Sequence, residues 1–120
     1  MSKRGDEEFL RDIIESINRI NNYIREMRYE EFLQDIKTQD AIVRNIQIIG
    51  EAIKNLSSDF RDKYKDIDWK NTARIRDKIV HHYFGIKWEV VWGVSNNNLP
   101  ELKEKIEKIL KELQERGNKK

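Results

Sequence analysis

Apolar residues recur at three- and four-residue spacing along most of the chain. Between Glu7 and Met27 they fall at Phe9, Leu10, Ile13, Ile14, Ile17, Ile20, Ile24 and Met27. That is the stripe of an amphipathic helix with one buried face. Tyr29 to Ile36 reads as a short connection with room for a helical turn. Thr38 is the expected cap of a second helix, because its hydroxyl can accept an early backbone N–H. Ile42, Ile46, Ile49, Ile53 and Leu56 form the apolar face of that helix. Gly50 lies inside it, costs about 1 kcal/mol relative to alanine, and permits close approach of a neighbour. Ser57 and Ser58 are expected to end it, and Asp59 to Asp68 reads as a polar connector.

Asp68 is the expected N-cap of a third helix from Trp69 to about Tyr83, with Gly85 as its terminator. Lys87 to Val94 contains Trp88, Val90, Val91, Trp92 and Val94. Strand and helix both fit so short a run. Helix is preferred, because the chain offers it no partner strand. The SNNN segment at 95–98 reads as a break or kink. Pro100 suits the first turn of a last helix, where its missing N–H costs nothing. Leu102, Ile106, Ile109, Leu110 and Leu113 continue that helix, and 117–120 reads as a frayed tail. The prediction is one all-α domain spanning 1–120, a four- to five-helix antiparallel bundle with short connections.

Composition narrows the function classes. The chain has 120 residues, which suits one domain. Charged and apolar residues each make up 38%. The mean hydropathy is −0.87. No apolar run approaches the roughly 18 residues of a membrane span. The first ten residues, MSKRGDEEFL, lack the apolar core of a secretory signal. The sequence has no cysteine, hence no disulfide, thiol nucleophile or thiolate metal site. A cytoplasmic location is expected. Net charge is only +2, yet Arg61 to Lys87 holds eight Lys/Arg against four Asp. That local field, about +4, can favour a polyanion, although charge alone fits a mixed, solvated surface better.

The two histidines, His81 and His82, are adjacent in RIRDKIVHHYFGIKW. Histidine titrates near neutrality and serves as a general acid or base. Arg76, five residues upstream, has the guanidinium that holds a phosphate through paired hydrogen bonds. Tyr83 adds a phenol. This set suggests chemistry on a phosphate without a metal. Each member also has a plain structural reading: an exposed histidine, a chance arginine, a core aromatic. Ideal helix geometry puts positions 76 and 83 on one face but 76 and 81 about 140° apart. Either the helix loosens near His81 or a second subunit completes the site. The aromatics Trp69, Tyr83, Phe84, Trp88 and Trp92 around the motif make an interface reasonable. Adjacent histidines on a helix diverge by about 100° and cannot easily share one ion. Glu51, in IIGEAIK, reads as an exposed or interface carboxylate.

Arg76 to Tyr83 matches the pattern R-x4-H-x-Y. Here the sequence resembles the HepT-like toxins of the HEPN superfamily. The likeness extends to Asp12-Ile13, to AIVRNIQIIGEAIK at 41–54, to DIDW at 66–69, to VHHYFGIKWEVVW at 80–92 and to NNLPELKEKI at 97–106. It covers nearly the whole chain in order. The resemblance implies an all-helical homodimer and a metal-independent endoribonuclease. Arg76 and His81 would be the catalytic pair meeting at the dimer cleft, and Asp77 would occupy the usually polar, supporting position. It also implies a toxin–antitoxin system whose partner, a minimal nucleotidyltransferase, transfers AMP from ATP onto Tyr83. The chain itself would need no cofactor; ATP would serve only the partner. His82 sits at the variable position and inherits no role.

Two function classes therefore stand at this point. One is a toxin that cuts RNA, its Arg76 holding the scissile phosphate and its His81 moving protons. The other is a non-catalytic helical dimer that serves as partner and substrate of the nucleotidyltransferase. Activity of the isolated dimer separates them.

Overall fold

The computed structural model describes residues 5–81 and 85–118. Among these residues the chain is helical, without strands. The elements are α1 (Asp6–Ile24), α2 (Tyr29–Leu33), α3 (Ile36–Asn55), α4 (Ser58–Lys63), α5 (Trp69–His81), α6 (Trp88–Gly93), a π-helical turn (Val94–Asn98) and α7 (Leu99–Asn118). α7 thus runs two residues into the segment that reads as a tail.

The isoleucine stripes bury themselves as their spacing requires. Ile13, Ile17 and Ile20 of α1 and Ile42 of α3 have no exposed surface, and Ile46, Ile49 and Ile53 are buried beside them. Ile106 and Ile109 of α7 join the same core. Each such side chain contributes about 1.5–3 kcal/mol by leaving water. α1 packs along α3, α3 along α5 and α1 along α7. α1 and α3 are antiparallel. The backbone N–H of Ser57, just past α3, donates to Asp6 Oδ1 at the start of α1 (2.8 Å), and the Ser57 hydroxyl donates to Asp6 Oδ2 (2.8 Å).

Three local expectations change. The cap of α3 is Asp35, not Thr38. Asp35 Oδ1 accepts the Thr38 backbone N–H (3.0 Å) and its Oδ2 the Thr38 hydroxyl (2.8 Å). A carboxylate three residues upstream satisfies that donor better than a hydroxyl already inside the first turn. Secondly, the segment after α3 is not a plain connector. Ser57 Oγ accepts the Phe60 N–H (3.1 Å) and starts the one-and-a-half-turn α4, which is anchored by the buried Phe60. Thirdly, the 95–98 segment does not break the chain. α6, the π turn and α7 follow one another without interruption, and the Leu99 N–H donates to the Val94 carbonyl five residues back. A wider turn is a natural place for Pro100, which lacks an N–H and whose ring crowds the carbonyl four residues earlier. The Lys87–Val94 run is helical, as preferred.

Candidate active site at the end of the fifth helix

α5 carries the chemistry-bearing residues, and its start is held firmly. Asp68 is its cap: Asp68 Oδ1 accepts the Asn71 N–H (3.0 Å), and its carbonyl accepts the Thr72 N–H and hydroxyl (both 3.0 Å). Trp69 is buried, and its indole Nε1–H donates to the Tyr64 carbonyl (3.0 Å). The Trp69 ring lies 6.1 Å from that of Phe60, which is 4.8 Å from that of Tyr64. This aromatic cluster ties α4 to the first turn of α5. Further along, Ala73 and Ile75 are partly buried against the core.

Arg76, Asp77 and His81 occupy the last two turns of α5, and the backbone remains α-helical through His81. Their positions follow from helix register. Arg76 and His81 are separated by about 7.5 Å of rise and about 140° of rotation. The loosening that would bring them to one side of a single helix does not occur up to His81. His82 and Tyr83 lie outside the described residues, as does Phe84.

The tryptophans considered as interface aromatics are engaged within the chain. Trp88 of α6 meets Phe32 of α2 edge to face, with ring centres 5.9 Å apart, and Trp92 lies tilted against Phe32 at 5.1 Å and against Tyr29 at 5.8 Å. Gln39 Nε2 donates to the carbonyls of Phe32 (3.0 Å) and Leu33 (3.3 Å), fixing α2 on α3. Glu51 is exposed, and lines a surface cleft between α1 and α3 with Asp12 and Arg44.

A second cleft, of about 480 Å³, opens between α4 and the start of α5. Arg61, Lys65 and Lys70 line it together with Asp62, Asp66 and Asp68. Lys70 and Arg74, on the outer side of α5, are both exposed. The sequence count registered these cations only as part of a basic segment, because their alignment appears once the helix is drawn.

Carboxylates with shifted acidity lie at helix caps. The backbone N–H of Thr38 holds the Asp35 carboxyl below its ordinary value. The backbone N–H of Arg28, 2.8 Å from Glu31 Oε1, does the same for Glu31. Among the described residues no group of three His, Asp or Glu side chains is placed to hold a metal ion.

Residues 13–109 match the family described as Ribonuclease HepT-like. A candidate RNase of Methanocaldococcus jannaschii is 44% identical over 114 residues, covering 95% of this chain and 94% of its own. A candidate ribonuclease HepT of Thermococcus cleftensis is 44% identical over 91% of this chain and 99% of its own length. A candidate RNase of Caldanaerobacter subterraneus is 34% identical over 85% and 91%. No solved structure matches the chain. The chain belongs to the HepT-like ribonuclease family. The family resemblance read from R-x4-H-x-Y and its flanking blocks is therefore met, as is the all-α fold. Among the described residues no helix is long and apolar enough to cross a membrane.

Proposed function

We propose that this protein is the toxin of a type II toxin–antitoxin pair, a homodimeric endoribonuclease that cuts RNA without a metal. One observation carries the reading: a helix holding Arg76 and His81 in the R-x4-H-x-Y pattern, in a chain of the HepT-like ribonuclease family. The register of that helix supports a dimer. Positions 76 and 81 fall in different sectors of α5 by helix register, so a cleft between two copies can gather both kinds of residue.

The ribose supplies the nucleophile. One His81 takes the proton from the 2′-OH, and O2′ forms a bond to phosphorus. The bond from phosphorus to O5′ breaks, and the other His81, entering protonated, gives its proton to the departing oxygen. Arg76 holds the phosphate and stabilises charge developing on its non-bridging oxygens. Asp77 supports the arginine from the neighbouring position. The products are a 2′,3′-cyclic phosphate and a 5′-hydroxyl.

A partner nucleotidyltransferase would silence the enzyme by transferring AMP from ATP to Tyr83. The added phosphate puts a negative charge two residues from His81, where it repels the RNA backbone. The chain needs no cofactor for either event.

The test is an oligoribonucleotide with a single 2′-deoxy sugar at a mapped cleavage site. Cutting should stop at that site and continue elsewhere, because the nucleophile has been removed. Equal cutting of the deoxy site, or of DNA, would exclude this mechanism.

A further inference from the structure

α5 carries a line of cations that the catalytic reading does not use. Lys70 and Arg74 are exposed and lie four residues apart. At 100° per residue, positions 70, 74, 78 and 81 all fall within about 80° of one another around the helix axis. Residue 78 is Lys and residue 81 is the candidate catalytic histidine. Lys70, Arg74 and Lys78 are spaced about 6 Å apart along the axis, and the line from Lys70 to His81 is about 16 Å long. The ion pairs Arg11–Glu7, Arg19–Glu15, Arg28–Glu31, Lys105–Glu101 and Arg116–Glu112 do not involve Lys70 or Arg74. At its far end Lys70 opens onto the cleft between α4 and α5, where Arg61 and Lys65 add charge and Asp62, Asp66 and Asp68 offset it. Asp68 is already engaged as the helix cap.

We propose that Lys70 and Arg74 form a track for the RNA strand, binding backbone phosphates on one side of the scissile bond. This rests on the ribonuclease reading for its direction, since the track leads to His81. A repeat of one cation per turn is commensurate with successive phosphates of an extended strand. Such contacts position the strand and carry no base information. Lys70 and Arg74 are therefore positioning residues. Long RNA uses them, and a dinucleotide, which ends before it reaches the track, does not.

The experiment compares wild type with a Lys70→Gln/Arg74→Gln double variant. Lys108→Gln/Lys111→Gln, on exposed positions of α7, is the charge-matched control. Binding of a short 2′-O-methyl oligoribonucleotide, which cannot be cleaved, is followed by fluorescence anisotropy across a salt series. The track variant should bind about tenfold more weakly at low salt, and its log K against log salt slope should be shallower by about 1.4, the change for two lost phosphate contacts. The control should keep the wild-type slope. In cleavage, KM for long RNA should rise while kcat/KM for a dinucleotide is unchanged. Wild-type affinity and slope in the track variant, or the same loss in the control, would overturn the proposal. The binding arm does not require catalysis. A protein that binds through Lys70 and Arg74 but never cuts would remove the ribonuclease reading and leave the track.

Discussion

Arg76 and His81 lie in one uninterrupted α-helix, five residues and about 140° apart. The two positions therefore fall on different sides of a lone helix. If the site is shared between two copies, inactive subunits will poison active ones. Wild-type protein mixed and equilibrated with excess His81→Ala should lose activity toward the square of the wild-type fraction. Activity proportional to wild-type protein alone would show that each copy works independently.

Modification of Tyr83 and catalysis by His81 are separable in this account. Tyr83→Phe should cleave RNA at close to the wild-type rate, because the phenol has no proton to move. It should also resist neutralisation when the nucleotidyltransferase and ATP are present, with no gain of AMP mass. Silencing of this variant without tight binding of the partner would contradict the assigned role of Tyr83.

The site depends on how α5 is anchored, and Trp69 is the anchor. Trp69→Ala removes a buried indole and its hydrogen bond to the Tyr64 carbonyl. Stability should fall by about 3–5 kcal/mol, in the range for large-to-small aromatic substitutions. Urea unfolding followed by circular dichroism measures it. A loss below about 1 kcal/mol would mean that α5 is held chiefly by its contacts with α3.

Asp35 gives a pH signature independent of activity. Its carboxyl titrates below the ordinary aspartate value of 3.8, chiefly because the Thr38 N–H donates to its charged form. A folded pKa lower than the unfolded one contributes stability that is fully present above 3.8. That contribution is lost as the pH falls through the lowered value. Asp35→Asn keeps a capping side chain but does not titrate. The gap in Tm between wild type and this variant should therefore change below pH 3.8 and stay constant above it. A constant gap throughout would show that Asp35 does not act as a charged cap.

Long periodic elements were legible in the sequence because burial enforces their spacing. Ile13, Ile17 and Ile20, and Ile42, Ile46 and Ile49, are the buried residues that their period of three and four predicts. Short elements were not. α4 holds one buried residue, Phe60, and a single apolar position has no period. The capping roles of Asp35 and Ser57 were hidden for another reason: several side chains near each start could serve, and backbone direction chooses between them. The π turn is a backbone response around VSNNN and Pro100, for which residue types alone give only a break. As for the site, the Arg76, His81 and Tyr83 pattern was visible as a motif. The alignment of Lys70 and Arg74 needed the helix, and the dimer cleft stays a proposal that one copy of the chain does not display.

The most direct measurement of the central claim is cleavage of RNA by purified protein in excess EDTA, with intact mass confirming unmodified Tyr83 and His81→Ala run beside it. The account predicts that wild type cuts and that the variant is slower by about 10²–10⁴-fold, the usual worth of a general acid or base. Loss of cutting in EDTA, equal rates for the two proteins, or no cutting of any RNA by a dimer of verified mass would contradict it.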